Sequence, residues 1–213
     1  MRDSGWQQAE FTVNVSAGTH TITVGGWNNK KTAPVEVTDI FFDEILITKQ
    51  GQAILNTNLG GFQYSDDKFR GTNHPQYASG DISNGSMHTS IGGIDGVDIV
   101  NGMSGGWSST FTLSGNANVL ISLSYRLTVG NYDADECGQA LVAIDGVLVS
   151  PGQQDYLEQF CGRSTRDSGW RDVQFTRNLS AGTHTITVGG WNNKKTFSTE
   201  VTDVFFNDII VTQ

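Results

Sequence analysis

Residues 179–195 read LSAGTHTITVGGWNNKK, and they join a tight reversal to an alternating strand. The first four letters are typical of a turn, and apolar side chains then recur at every second position through Ile186 and Val188. Alternation with a period of two indicates a strand with one buried face. The stretch therefore predicts a β-strand over Thr183–Gly190, followed by a loop over Trp191–Thr199.

The same alternation recurs throughout the second half of the chain, and helical periodicity is nearly absent. Asp145-Gly146 between two apolar runs predicts a two-residue hairpin turn, because both central residues of that turn need a positive φ. The other predicted strands are Ile54–Leu59, His88–Ile91, Ser108–Leu113, Val119–Val129, Cys137–Ile144, Val147–Val149, Trp170–Arg177 and Val201–Thr212. Short strands joined by Gly-rich turns predict an all-β sandwich or barrel.

The composition is polar and acidic, with 16% charged residues, 26 glycines and a net charge of -9. The only adjacent basic pairs are Lys30-Lys31 and Lys194-Lys195, so the basic patch that binds nucleic acid is missing. No apolar run approaches the ~18–20 residues of a membrane helix, and residues 1–5 do not begin a signal peptide. We expect no membrane insertion, and we expect any export signal to lie outside this sequence.

An internal repeat links the two ends of the chain. Residues 2–48 and 166–212 align without a gap and match at 33 of 47 positions, and residues 16–32 repeat 180–196 letter for letter. The segment 49–165 has no counterpart before the first copy. We therefore expect 49–213 to be one complete unit, 1–48 to be the back part of a preceding unit in a tandem array, and both copies to share one local structure.

Another arrangement of the first copy remains open. Residues 1–48 could complete the core of 52–165 in place of 166–212, as in a circular permutant. Because half a sandwich exposes an apolar face and unpaired edges, we expect 1–48 to dock on this chain or on a neighbour. Domain-swapped self-association is one such outcome.

Following strand direction through the predicted turns brings three loops to one edge, at Gly130–Glu136, Ser150–Gly169 and Trp191–Thr199. Calcium is bound by six to eight oxygens, and carboxylates on loops are common ligands. The predicted metal ligands are Asp133, Asp135, Glu136 and Glu200. The spacing is not that of an EF-hand, and a solvated acidic turn is the alternative interpretation.

The same edge carries aromatic and amide side chains. Aromatic rings suit the apolar faces of sugars, and amides and charged groups suit their hydroxyls. The predicted ligand-binding residues are Tyr132, Trp191, Asn192, Asn193 and Lys194. Trp191 could instead cap the core.

The two cysteines, Cys137 and Cys161, lie on neighbouring segments of this edge. They are predicted to form a disulfide of an exported protein, with two buried thiols as the alternative. No CxxC or paired His pattern accompanies them, which argues against zinc.

Several strings in the chain form a recognisable set. They are SYR at 124–126, Tyr132 with Asp135-Glu136, VAIDG at 142–146, Gly169-Trp170, LSAGTHTI at 179–186 and FNDI at 206–209. The set resembles jelly-roll carbohydrate-binding modules and, more closely, the tandem repeat domains of large secreted proteins of marine proteobacteria and cyanobacteria. The resemblance covers about residues 55–213 and, for its second half, 2–48.

The resemblance implies a jelly-roll β-sandwich of two antiparallel sheets in a protein that is secreted or at the cell surface. It also implies frequent calcium binding and sugar binding at a loop edge or on a sheet face. Jelly-roll modules often hold an ion between terminal strands, for which Asp66, Asp67 and Asp208 are the second possible ligand set.

Catalysis has little support in the sequence. Residues 102–106 match GxSxG, but a predicted strand follows them where a nucleophile elbow needs a helix. Asp135 and Glu200 could form a glycosidase pair, although nothing sets their pKa values apart. We expect a non-catalytic, calcium-ordered carbohydrate-binding module; the alternatives are a calcium-stiffened spacer repeat of a bacterial adhesin and a polysaccharide-degrading enzyme.

Overall fold

The computed structural model describes residues 21–33, 38–41, 53–56, 61–93 and 99–213. The chain divides into two compact units, Met1–Lys49 and Gln50–Gln213. The second unit contains the strands β1 (Ala53–Asn56), β2 (Gln63–Asp66), β3 (Ala78–Ser83), β4 (Ser86–Gly92), β5 (Val100–Leu113), β6 (Ala117–Gly130), β7 (Cys137–Ile144), β8 (Val147–Leu148), β9 (Glu158–Cys161), β10 (Arg166–Asp167), β11 (Arg171–Leu179), β12 (Gly182–Lys195) and β13 (Val201–Thr212).

These strands form two antiparallel sheets. Sheet A has the order β3-β4-β13-β6, with β10 and β11 paired to the far side of β6 and β1 paired to the end of β13. Sheet B has the order β2-β5-β12-β7, with β8 and β9 both paired to β7. Among the described residues there is no helix long and apolar enough to cross a membrane.

Eight of the strands have jelly-roll connectivity. Sheet A contains the run β4-β13-β6-β11, and sheet B contains the run β5-β12-β7-β9. The last two strands of the chain therefore lie in the middle of the two sheets, between strands formed much earlier, as in a double Greek key. The predicted fold class, an all-β jelly-roll sandwich, is confirmed.

The core lies between the two sheets and is built by alternation. Ile186 and Val188 of β12 point inward and are fully buried, together with Val142 of β7 and Phe206 of β13. Because side chains alternate along a strand, the residues between these inward positions in β12 and β7 face the outer side of sheet B. The outer face of sheet B is therefore a second surface, separate from the loop edge.

Two strands of sheet B approach each other unusually closely. A Cβ at Gly189 would lie 2.1 Å from the carbonyl oxygen of Gly105 in β5, so no other residue fits there. Glycines on both strands thus let β12 pair along its length with β5, from Gly182 to Lys195.

The strand predictions were correct in kind and often too short. β12 continues through Lys195, so the predicted loop over Trp191–Thr199 is wrong for its first five residues. The strand continues because β5 and β7 both extend far enough to hydrogen-bond it, which a local pattern does not reveal. β2, β3, β9 and β10 were not predicted, and residues 57–59 of the predicted strand Ile54–Leu59 lie outside the described residues.

The described part of the first copy differs from its repeat. Residues 21–33 and 38–41 contain no strand, and Ile22, Val24 and Trp27 are exposed by 54%, 45% and 81%. The expectation of one local structure in both copies is therefore wrong for these residues. The physical reason is that β5 and β7, which pair with β12, belong to the segment that is not duplicated. The rest of 1–48 lies outside the described residues.

Candidate functional site

Three acidic side chains from two loops meet at one end of the sandwich. Asp133 and Glu136 lie between β6 and β7, and Glu200 immediately precedes β13. One carboxylate oxygen from each lies within 4.8 Å of the other two. The Asn131 amide donates to the Thr199 carbonyl at 3.0 Å and joins the two loops. This buried acidic cluster could hold a metal ion.

Burial makes it costly for both Glu136 and Glu200 to carry a negative charge. Glu136 and Glu200 are 0% and 2% exposed, and burial, with Glu200 nearby, raises the pKa of Glu136 to about 7. Burial alone would also raise the pKa of Glu200, but the backbone N–H groups of Thr196 and Phe197 donate to its carboxylate and lower it. A proton on Glu136 or a cation beside both groups relieves the repulsion between them.

A threonine hydroxyl connects the two buried carboxylates. The Thr196 hydroxyl lies 2.9 Å from Glu200 Oε1 and 3.5 Å from Glu136 Oε1. The Asp133 backbone N–H donates to Glu136 Oε2 at 2.7 Å, which fixes the second oxygen. The ion pairs among the described residues include neither glutamate, whereas Asp133 lies 4.0 Å from the exposed Arg163.

The remaining predicted metal ligands lie elsewhere. Asp135 is exposed and accepts from the Lys194 ammonium at 2.7 Å, which lowers the pKa of Asp135. Asp66 and Asp67 accept from the backbone N–H groups of Gln76 and His74 and so order the loop after β2. Asp208 is exposed at a bulge of β13, with φ 51°. Among the described residues, Asp66, Asp67 and Asp208 do not come together as a group of metal ligands.

Two of the predicted sugar-binding residues are in the core. Tyr132 is 3% exposed and Asn192 is fully buried. The Asn192 amide donates to the Tyr132 hydroxyl at 3.0 Å, and that hydroxyl also bonds to Thr202. A Cβ at Gly138 would lie 2.6 Å from the same hydroxyl, so the glycine makes room for it. These side chains support the loop edge from beneath and are closed to a glycan.

Two further predicted residues are occupied by local contacts. Asn193 accepts from the Cys137 backbone N–H at 2.5 Å and donates to the Asp135 carbonyl at 2.8 Å. Lys194 is held by the ion pair with Asp135. Asn193 and Lys194, which were predicted to bind a sugar beside Trp191, therefore connect β12 to the loop before β7.

Trp191 itself lies on the outer face of sheet B. Its indole is half-buried against Phe69 and Leu141, and the Arg70 guanidinium lies 5.0 Å from the centre of the ring. Arg70 makes two hydrogen bonds to the Asp155 carboxylate, at 2.8 and 3.0 Å. The sandwich thus presents an aromatic ring, a guanidinium and a carboxylate side by side.

Amides and a second ring extend this surface. Arg70 also donates to Gln139 Oε1 at 3.0 Å, and the Gln139 amide donates to Gln159 Oε1 at 2.5 Å. Tyr156 packs on the same apolar base as Trp191. We call these six residues the sheet B platform: Arg70, Gln139, Asp155, Tyr156, Gln159 and Trp191.

A shallow depression of about 340 Å³ lies further along sheet B, across β2, β5 and β12. Its lining is rich in hydroxyl and amide groups, including Gln63, Ser108, Thr110 and Thr185. Ser108 and Thr187 bond across β5 and β12 at 3.0 Å, which continues the polar row toward the platform.

The predicted disulfide is present. Cys137 and Cys161 are bonded and lie directly opposite each other in β7 and β9. The bond follows Glu136 directly and ties β9 to β7 beside the platform residues Gln139 and Gln159.

Sequence reasoning missed most of the platform. Arg70 and Asp155 come from two loops that are 85 residues apart, and no local pattern connects them. Gln139 was the detectable member, because it alternates with inward residues such as Ala140 in β7, which was predicted as a strand.

No family model matches the sequence, and comparison with curated proteins gives no match. Solved structures with some similarity include a CBM61 domain, TmCBM61, in complex with β-1,4-galactotriose, at 13% identity and a TM-score of 0.34 over 73% of this chain and 92% of that chain. The CBM22-1 xylan-binding domain of Paenibacillus barcinonensis Xyn10C has 10% identity and a TM-score of 0.35 over 78% and 97%. The K3 cleaved adhesin domain of Lys-gingipain from Porphyromonas gingivalis has 13% and 0.34 over 76% and 99%.

What those domains bind is a property of those domains, since the identities and TM-scores are low. The function of this chain has to be argued from its own surfaces.

Proposed function

We propose that this chain is a non-catalytic, secreted carbohydrate-binding module whose glycan site is the sheet B platform. The observation that carries the proposal is the half-buried Trp191 indole beside Arg70 and Asp155. The amide available on this face is that of the partly exposed Gln159, which accepts from buried Gln139. Sugars present apolar ring faces together with hydroxyl edges. A platform that offers aromatic, amide, guanidinium and carboxylate groups on one face can bind both features.

The platform is held rigid before any ligand arrives. Arg70 is fixed by two hydrogen bonds to Asp155 and one to Gln139, and Trp191 rests on buried Leu141. Side chains that are already ordered lose little conformational entropy on binding. This small loss favours ligand binding even at a shallow site with few contacts.

The length of the polar surface favours a chain of sugars over a single one. Trp191 lies six positions after Thr185 of the depression in β12, which is about 20 Å at the rise of a strand. A polysaccharide lying across β5 and β12 would contact the platform and the hydroxyl-lined depression together.

Calcium is the proposed ion of the Asp133, Glu136 and Glu200 cluster. Its donor set is entirely oxygen, which suits calcium and does not suit the nitrogen and sulfur preferences of zinc. The ion would join the loop before β7 to the loop before β13 and so order the end of the strands that carry Gln139 and Trp191. Secretion is supported by the disulfide, because such bonds persist in oxidising compartments.

The test is binding to a panel of immobilised polysaccharides in millimolar calcium and after chelation. Trp191→Ala should reduce binding at least ~10-fold, because it removes the ring on which a sugar would stack. Trp27→Ala is the matched control, since Trp27 occupies the same position in the first copy and is 81% exposed. Equal loss in both variants would indicate non-specific stacking and overturn the platform site.

A calcium-stiffened spacer is the second candidate function. It is favoured by the burial of Tyr132 and Asn192, which removes the loop-edge site predicted from the sequence. A calcium-dependent rise in Tm with no binding to any polysaccharide would support the spacer. Release of reducing ends from a bound polysaccharide would instead contradict the non-catalytic proposal.

A further inference from the structure

The first copy carries a duplicate of β12, a central strand of sheet B. In β12, Ile186 and Val188 are fully buried, and Val188 lies between Trp107 of β5 and Val142 of β7. Their duplicates, Ile22 and Val24, are 54% and 45% exposed. The same apolar side chains are therefore buried in β12 and exposed in the first copy.

The duplicate extends to the next strand. Ile40 corresponds to Val204 of β13, which is fully buried, whereas Ile40 is 46% exposed. Phe41 corresponds to Phe205 and is 77% exposed. The described parts of the first copy thus expose Ile22, Val24 and Ile40, whose counterparts face the core. They also expose Phe41, whose counterpart Phe205 stacks on His88.

The strands that pair with β12 and β13 are complementary to these residues, because the first copy has the sequence of β12 and nearly that of β13. β12 pairs with β5 and β7, and β13 pairs with β4 and β6, residue by residue. These four acceptor strands lie within residues 86–144, which occur once in the chain, whereas the donor sequence occurs twice. We propose that the first copy is a donor whose residues 21–33 and 38–41 occupy the corresponding places in β12 and β13 of a second copy of this chain.

The exchange is nearly balanced in contact energy. Residues 16–32 can make the β5 and β7 contacts of 180–196 because the letters are the same. Which donor occupies the position is then decided by local concentration and by any change that weakens one donor. A substitution that prevents the chain's own β12 from packing between β5 and β7 should therefore allow the first copy of another chain to pack there.

Gly190→Ile is such a substitution. A Cβ at Gly190 would lie 2.7 Å from Val204 and 2.8 Å from Ile91, in the closed core. At about 100 µM, where the concentration favours association, we expect the full-length variant to be dimeric or larger and to keep a cooperative melt. A Cβ at Gly26 would lie 1.9 Å from the Ile40 side chain, which is 46% exposed and has to move aside. Gly26→Ile alone should remain monomeric and keep the cooperative melt of the second unit, and the double variant should lose it.

A crosslink defines the register of the exchange. Thr187 lies opposite Ser108 of β5, so its duplicate Thr23 should lie there in the exchanged dimer. Adding Thr23→Cys and Ser108→Cys to the Gly190→Ile chain should give a disulfide-linked dimer by non-reducing electrophoresis.

Three results would overturn the proposal. A folded, monomeric Gly190→Ile chain would exclude a second copy as the partner. Loss of the melt in Gly190→Ile as complete as in the double variant would show that the first copy is not a donor. A folded double variant would show that β12 tolerates the substitution and that no exchange is needed.

Discussion

Residues 22–32 and 186–196 have the same sequence and different structures. The second set forms most of β12, with Ile186 and Val188 fully buried, and the first set contains no strand and is exposed. Intrinsic preference is identical in the two places, so the difference comes from the neighbouring strands β5 and β7. Whether this sequence forms a strand therefore depends on the strands that pair with it.

The largest effect should come from damage to a neighbour that has no duplicate. Val142→Asp in β7 places a charge in the core beside Val188, where it has no partner. We expect loss of the cooperative thermal transition by circular dichroism. Val24→Asp in the exposed copy is the matched control, and its Tm should stay within about 1–2 °C of the unmodified chain. A similar fall in Val24→Asp would mean that Val24 is also packed in a core.

Removal of the disulfide should have the next largest effect. Cys137 and Cys161 tie β9 to β7, and the bond closes a loop with a sequence separation of 24. Replacing both by Ser should lower the free energy of unfolding by about 3 kcal/mol through loop entropy. Denaturant titration with and without a reductant measures this loss. A reductant that leaves the midpoint of the unmodified chain unchanged would contradict the expectation.

A smaller effect should come from the protonation of Glu136. Its pKa in the folded chain is about 7, above its ordinary value, so its contribution to stability is complete below about pH 4.5 and is lost as pH rises through 7. With a chelator present, Tm should therefore fall between pH 5 and 8. Glu136→Gln mimics the protonated form and should flatten that part of the profile.

Millimolar calcium should also oppose the fall in Tm, because a cation replaces the proton between Glu136 and Glu200. Glu200→Gln should remove the gain in Tm from calcium. Glu36→Gln, the same letter in the first copy, should keep it. A calcium response that survives Glu200→Gln would place the ion elsewhere.

The smallest effect concerns the turn beside β12. Asp145 accepts from Thr185 N–H at 2.8 Å and pairs with His184 at 2.7 Å, and this pairing raises the pKa of His184. That stabilisation is present at low pH and is lost as pH rises above the raised value. Asp145→Asn keeps the positive φ of the turn and should cost about 1 kcal/mol at pH 5 and less at pH 9. Equal losses at both pH values would contradict the ion pair.

The sequence was sufficient for the elements that depend on alternation. β6, β7, β11 and β13 were predicted because apolar residues recur at every second position. Alternation predicted a sandwich or barrel, and the jelly-roll class came from the resemblance to carbohydrate-binding modules. β3 was missed because its letters, ASGDIS, are polar and its place is set by pairing with β4. A strand was also expected over residues 19–26, the counterpart of Thr183–Gly190, but residues 21–26 contain none, because the strands that pair with β12 have no duplicate.

The candidate sites show the same division. Asp133, Glu136 and Glu200 were predicted because chain direction places their two loops at one edge. Asp135 pairs with Lys194 and Asn193 accepts from the Cys137 backbone, and a sequence does not reveal such contacts between neighbouring loop residues. Arg70 and Asp155 could not be predicted, because only the folded sheet brings their loops together.

The most direct test compares amide hydrogen exchange in the two identical segments of one chain. Intrinsic exchange rates are equal for equal sequences, so any difference reports structure alone. NMR, or peptides extended into Ala33 and Phe197, distinguishes the copies. In dilute monomer we predict protection of 186–196 by at least ~10³-fold and near-intrinsic exchange in 22–32. Equal protection of both segments would contradict the account.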